Sequence, residues 1–331
     1  MISYAWCEQL SPKALAGALE LVRAAAVYDE EAGFSHITEE DVRAVGGTGM
    51  RIVHLPIWAN AGLVSDANAP RVVVAYLRLS ITSDGLGSIG YVVHPDYRSR
   101  GTTTLLVEQL GLDVEAPAGW DRTGARVLRC WAYATHPAAG RLTRRFGIGA
   151  VSRQWNVIRP LSGPFTSAIG APELPTGVTL GVARDYCVGD YAVATILQDS
   201  HIPAAHRERL DVELLQANGR LIDAVDESGS PVGFVWFSID TRNHLELRAA
   251  PVFSVLRKGC ARGGGIGIAL LAAALSDQRD SGVQLSIMRL DPEDRGAVRM
   301  CRLMEFERED AHTCYQVGTH TGPSPTVEDR L

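Results

Sequence analysis

Lysine is nearly missing from this chain: Lys13 and Lys258 are its only lysines, and the rest of its 32 basic residues are arginines. Against 38 acidic residues the formal net charge is −6 at pH 7. Without a basic field, neither nucleic acid nor an anionic membrane surface is expected as a partner. Cys7, Cys130, Cys187, Cys260, Cys301 and Cys314 are scattered, with no Cys-x-x-Cys pair and no histidine at a zinc-like spacing. A structural metal is therefore not expected, and reduced thiols in a cytoplasmic protein are. The apolar runs are too short to span a bilayer, and the start, Met1-Ile2-Ser3-Tyr4-Ala5-Trp6-Cys7-Glu8, has no basic segment before an apolar core, so no signal peptide is expected. No Walker pattern occurs, and a three-glycine dinucleotide fingerprint fails at Ile268 and Leu270, where its last glycine would stand.

What the chain does have is enough length for two cores. At 331 residues, 46% hydrophobic and 21% charged, with a mean hydropathy of +0.01, it has the composition of a soluble globular protein of two domains.

Its most informative stretch is Arg262-Gly263-Gly264-Gly265-Ile266-Gly267, which runs into the apolar residues 268–275. The pattern predicts a glycine turn opening a helix. Unpaired N–H groups at a helix start point outward with the positive end of the dipole, and glycine lets a diphosphate approach the main chain. A bland alternative is a glycine turn capping a core helix. A second stretch of the same kind, Arg98-Ser99-Arg100-Gly101-Thr102-Thr103-Thr104, leads into an expected helix over residues 105–110.

The flanking elements repeat in the same order. Helical spacing over residues 10–28 and a helix capped by Thr38 precede strands at 51–58, 71–82 and 88–93. After the first turn come a strand at 126–135, a short helix from His136 to Arg145, and a strand at 150–160. A Pro-, Gly- and Ser-rich stretch follows. The second half gives a strand at 178–183, helices at 186–198 and 207–217, and a hairpin at 220–225 and 231–239. A long strand over 244–256 then leads to the glycine turn, followed by a strand at 282–290, a helix at 294–304 and a strand at 313–318. Arg145-Phe146-Gly147 and Leu303-Met304-Glu305-Phe306 sit at nearly the same offset as the two turns. Duplication of a unit of about 160 residues explains this better than coincidence. The expected boundaries are 1–163, a linker over 164–176, and 177–331.

A strand ending in Val-x-Pro, then Arg-x-x-Gly-x-Gly/Ala and a helix, then a strand and a helix ending near Gly-Phe, resembles the acyl-CoA signature of the GNAT acyltransferases. Val93-His94-Pro95 through Thr103 matches it except that Thr103 replaces the small last residue; Arg262 to Gly267 matches fully, after a small insertion. Trp131-Ala132, His136-Pro137-Ala138-Ala139 and Arg159-Pro160-Leu161 further resemble the N-terminal half of mycothiol synthases, which are tandem GNATs. The resemblance implies an α/β (α+β) fold of two tandem GNAT domains, each a mixed, mostly antiparallel twisted sheet with helices on both faces.

By the same resemblance, acetyl-CoA or another acyl-CoA binds, one per domain. Its pantetheine arm would pair with backbone groups of Val92 and Val93 in the first half and of Val255 and Leu256 in the second. Its diphosphate would lie on the turns formed by Arg98, Ser99, Arg100, Gly101, Thr102 and Thr103, and by Arg262, Gly263, Gly264, Gly265, Ile266 and Gly267. The arginines would add charge to the backbone donors.

Amide formation needs a base for the attacking ammonium and an acid for the departing thiolate. The family commonly uses a tyrosine as acid. Alignment puts Cys301 at that position in the second half and Thr143 in the first, and Asp294 replaces the usual asparagine. Glu246, with His244 nearby, is the candidate base; the matching strand of the first half offers Ser88, Gly90 and Tyr91, none of them a base at neutral pH. The expectation is an N-acyltransferase whose second half is catalytic and whose first half holds acetyl-CoA. It would acylate a primary amine on a small molecule, in mycothiol-like or antibiotic biosynthesis such as the clavulanic acid pathway, as a monomer or homodimer. The alternative is an acyl-CoA-binding regulatory protein without transfer.

Overall fold

The computed structural model describes residues 2–30, 33–34, 37–60, 70–164, 166–170, 173–200, 214, 219–244, 247–259 and 264–321. The chain divides into two compact units. The first takes Met1–Ser152 and the strand residues from His312 on, and the second takes Arg153–Ala311.

The first unit begins with β1 (Ser3–Tyr4) and α1 (Pro12–Asp29). The helix starts where it does because Ser11 is extended and its hydroxyl accepts from the Ala14 N–H at 3.3 Å, while Pro12 gives up an N–H that would have had no partner. Ala18, Leu21, Val22 and Ala25 recur every three or four residues and pack on Val73, Tyr76 and Val92. A reciprocal cap between Thr38 and Asp41 opens α2 (Glu39–Arg43).

β2 (Met50–Asn60), β3 (Arg71–Thr82) and β4 (Leu86–Val93) then pair antiparallel in turn. α3 (Thr102–Leu110) is the crossover that lets β5 (Val127–Ala132) join β4 in parallel. α4 (Pro137–Phe146) and β6 (Gly149–Pro160) follow. Successive side chains of a strand point to opposite faces, so Tyr76 and Val92 meet α1, while Leu77, Leu79 and Val93 meet Leu106 of α3. Both faces of the sheet are therefore covered by helix.

The second unit repeats the plan. β7 (Thr179–Leu180), β8 (Arg184–Asp185) and α5 (Tyr191–Asp199) precede β9 (Gly219–Val225) and β10 (Pro231–Ser238). Next come β11 (Arg242–His244), β12 (Leu247–Leu256), α6 (Ile266–Asp280), β13 (Leu285–Leu290), α7 (Arg295–Leu303) and β14 (Glu307–Val317). β9, β10 and β12 are antiparallel, and β12 and β13 are parallel. Val255 packs on the α5 side with Val193, Ile196 and Trp236, and Leu256 packs against the cluster on the α6 side. Val92 and Val93 show the same alternation in the first unit.

Two features depart from a reading along the chain. The long strand expected over 244–256 is a hairpin, because His244 closes β11 and pairs antiparallel with Leu247 at the start of β12. The second is an exchange of strands. In the first unit β5 pairs antiparallel with residues 313–317 of β14, and in the second β13 pairs antiparallel with residues 155–160 of β6. Each sheet is completed by a strand whose neighbours in sequence belong to the other unit. Cys314, in the first of these strands, is fully buried.

Candidate active site

In both units the parallel strand pair parts at the place where a linear, amide-bearing ligand could enter. The register of β4 on β5 runs from Leu86↔Val127 to Ile89↔Cys130 and stops there. From Gly90 to Val93, β4 is paired with β3. In the second unit the register of β12 on β13 stops at Pro251↔Ile287, and from Val252 to Leu256 β12 is paired with β10. Val92, Val93, Val255 and Leu256 thus lie on strand edges with no parallel partner among the described residues. Backbone groups on such edges that are turned away from the antiparallel neighbour can pair with amides of an extended ligand; the Val93 carbonyl is already taken by Arg98.

Beyond each edge lies a glycine turn of the same construction. Gly101 (φ 77) is the N-cap of α3 and Gly265 (φ 82) the N-cap of α6, and neither cap receives a side-chain hydrogen bond. Leu105 N–H donates to the Gly101 carbonyl and Ala269 N–H to the Gly265 carbonyl, both at 2.9 Å. The N–H groups of Thr102 and Thr103, and of Ile266 and Gly267, precede these first helical bonds, so they face outward as anion donors. A Cβ on Gly101 would meet nothing within 4 Å, whereas one on Gly265 would lie 3.3 Å from the Glu173 carbonyl oxygen. Gly264 is part of the same turn, and Gly267 faces Met300, whose sulfur would be 3.4 Å from an added Cβ. Arg262 and Gly263 lie outside the described residues.

The polar side chains of the first turn are mostly engaged with the protein itself. Arg98 forms a bidentate pair with Asp29 at 2.6 and 2.8 Å and donates through Nε to the Val93 carbonyl at 3.1 Å. Ser99 is a non-glycine residue at φ 61. Arg100 is exposed, with its guanidinium 5.0 Å from the centre of the Tyr97 ring. The larger Thr103 is accommodated by Tyr91, whose phenol is 3.0 Å from the threonine hydroxyl. Burial pushes that phenol above its ordinary value.

Cys301 and Thr143 occupy equivalent places: Phe306 N–H donates to the Cys301 carbonyl and Ile148 N–H to the Thr143 carbonyl, both at 2.9 Å. Both side chains are buried. The Cys301 thiol lies 3.4 Å from the Met288 sulfur, and burial, with the Asp294 charge, pushes it up to about 12. The Thr143 hydroxyl donates to the Ala139 carbonyl at 2.9 Å. His136 and Asp294 are also equivalent, each capping the helix after the second parallel strand. Glu246 lies outside the described residues, and His244 is described only as backbone.

Two residues near the site were not singled out in the sequence. Asp29 ends the buried stripe of α1, four residues after Ala25. Gln278 stands in the apolar stripe of α6 with Leu271, Ala274 and Leu275, and its Nε2 donates to the carbonyls of Ser238, Ala250 and Pro251. A polar residue on an apolar helical stripe is the signal that could have marked either one.

Comparison with known proteins decides the family. The chain is 32% identical over 259 residues to a mycothiol acetyltransferase of Salinispora tropica, covering 74% of this chain and 78% of that protein. It is 30% identical over 319 residues to one of Salinispora arenicola, covering 93% and 95%. The chain belongs to the mycothiol acetyltransferase family. No family model matches it.

Two solved structures share the fold of this mycothiol acetyltransferase relative over nearly its whole length. A GCN5-related N-acetyltransferase from Sphaerobacter thermophilus gives a TM-score of 0.59 at 21% identity, covering 98% of each chain. A tandem GNAT protein from the clavulanic acid biosynthesis pathway gives 0.57 at 17%, covering 99% of this chain and all of the other. The fold is the tandem GNAT fold, with mixed, mostly antiparallel sheets. As a mycothiol acetyltransferase family member the protein is an N-acyltransferase, which replaces the alternative of a binding protein without transfer. Among the described residues no helix is long and apolar enough to cross a membrane.

Proposed function

We propose that this protein transfers an acetyl group from acetyl-CoA to the primary amine of a small metabolite, with the second unit catalytic and the first holding acyl-CoA without turnover. The observation that carries the reading is the repeated pairing of a parted strand edge with an uncapped glycine turn: Val255 and Leu256 before Gly265, and Val92 and Val93 before Gly101. The residues present fit acyl-CoA, since a strand edge for amides leads straight to a cradle of N–H groups for a diphosphate. The relatives are named mycothiol acetyltransferases, and this supports the amine precursor of mycothiol, mycothiol lacking its acetyl group, as acceptor. An antibiotic-pathway amine is the other setting, suggested by the tandem GNAT neighbour.

Bound acyl-CoA supplies the activated acyl group. In the second unit the free edge of Val255 and Leu256 orients the arm, and Glu246 is the base we assign to draw the proton from the acceptor ammonium through water. Cys301 contributes packing in this reading, because a thiol held at about 12 is a poor donor to a departing thiolate of ordinary pKa near ~8.5. The first unit offers no comparable base on the matching strand. Opposite Gly90 stands Arg78, and the buried His54 has one ring nitrogen 2.6 Å from the Tyr76 hydroxyl and the other 3.0 Å from the Ala44 carbonyl.

Native mass spectrometry of the full chain should count two acetyl-CoA molecules, and a thiol-release assay with the mycothiol precursor and a panel of other amines should identify the acceptor. The reading fails if no amine raises CoA release above hydrolysis. We further propose a cytoplasmic protein, monomeric or homodimeric, with native mass spectrometry reporting the oligomer.

A further inference from the structure

Arg98 matches the arginine of the acyl-CoA signature, yet its guanidinium is committed elsewhere. We propose that Asp29 and Arg98 are a positioning pair that holds the free edge of β4 in place for acyl-CoA in the first unit, with Arg98 not itself a diphosphate ligand; this rests on reading that unit as an acyl-CoA site. Asp29, the last residue of α1, is 3% exposed and meets both terminal nitrogens of Arg98 at 2.6 and 2.8 Å. The remaining nitrogen, Nε, donates to the carbonyl of Val93, the last residue of the parted segment, at 3.1 Å. The guanidinium also lies 5.1 Å from the centre of the Tyr28 ring. Asp29 and the Val93 carbonyl take three of the five N–H donors of Arg98, and turning the guanidinium toward a diphosphate would break its pair with a buried carboxylate, which is strongly unfavourable.

The pair also fastens the chain leaving α1. Five residues beyond Asp29, the Phe34 ring meets the His136 ring edge-on, with centroids 4.4 Å apart, and His136 caps α4, the helix after β5. Asp29 thus meets a residue that follows β4, and Phe34 meets the cap of the helix that follows β5. The second unit fastens the same junction by a different bond: the carbonyl of Asp199, at the end of α5, accepts from the N–H of Lys258, two residues past the end of β12, at 2.8 Å. Both units tie the end of their first helix to the residues that follow the parted strand.

The sign of one substitution separates positioning from phosphate binding. Acetyl-CoA binding is measured by calorimetry in the full chain carrying Gly265→Val, which removes binding by the second unit, with thermal melts to confirm folding. Asp29→Asn should weaken binding about tenfold, Arg98→Gln should do the same, and the double variant should be no worse than the weaker single, as for residues acting as one unit. If Arg98 is instead a diphosphate ligand, Asp29→Asn frees its charge and binding is unchanged or tighter, which overturns the proposal. Should Asp29→Asn fail to fold, Asp29→Glu must keep near-normal affinity and Arg98→Lys, a charge without the fork, must not; an Arg98→Lys that binds normally also overturns it. Gly101→Val tests the underlying reading separately, since binding that survives it shows that the first unit does not use this turn.

Discussion

The side-chain amide of Gln278 donates to the carbonyl oxygen of Pro251 at 3.2 Å, at the residue where β12 leaves β13. The same nitrogen reaches the carbonyls of Ser238 and Ala250 at 3.0 and 3.4 Å, and the side chain is fully buried. A helix residue therefore satisfies backbone acceptors at the point of parting. Without it, those carbonyls would lose a buried donor.

Gln278→Leu should accordingly lower stability by about 1–3 kcal/mol, the cost of removing buried hydrogen bonds. Urea unfolding would measure this. Acetyl-CoA affinity in the second unit should fall as well, because the strand edge it uses begins one residue past Pro251.

Gly265→Val should abolish acyl-CoA binding in the second unit. A side chain at φ 82 is strained, and its Cβ would also press on the Glu173 carbonyl from 3.3 Å. Native mass spectrometry should show one bound acetyl-CoA lost and the other kept. Retention of both would remove this turn from the site.

Cys301→Ala should keep turnover at neutral pH within about twofold of the parent, as expected for a packing residue. Its effect should appear in alkali. From an ordinary value of 9.0, burial raises Cys301 and Cys314 to about 12 and Cys130 to about 11. Above pH 9 the unfolded chain releases protons that the folded chain keeps, so the stabilisation is complete below 9 and is lost as pH rises toward 11 and 12. The urea midpoint should drop between pH 8 and pH 10, and less steeply in Cys301→Ala. An equal pH slope in both proteins would contradict the assignment.

Residues 1–163 expressed alone should aggregate. That fragment lacks residues 313–317, which pair with Leu128 to Ala132, so it would expose the edge of β5. Co-expression with residues 164–331 should restore a soluble complex, visible by size-exclusion chromatography. A monomeric, cooperatively unfolding 1–163 would contradict the exchange.

The turns at Gly101 and Gly265 were legible in the chain because a positive φ and a helix start depend on neighbouring residues alone. The alternation that sends Val92 and Val255 to one face and Val93 and Leu256 to the other was equally local. Arg98 was legible as a motif residue but not as a partner of Asp29, since nothing near it in the chain marks a carboxylate 69 residues away. Cys301 could be aligned with a catalytic position, but its contact with Met288 and its burial depend on how α7 rests on β13.

By itself, then, the sequence determined the duplicated order of elements, the two glycine turns and the strands that precede them, because periodicity and backbone freedom are properties of short stretches. Only the tertiary structure decided that residues 313–317 complete the sheet of the first unit and residues 155–160 that of the second, that Asp29 takes the charge of Arg98, and that Gln278 sits beneath the parting of β12. Those outcomes depend on which distant surfaces are buried together. A one-dimensional pattern specifies the face a residue presents, not the neighbour that face will meet.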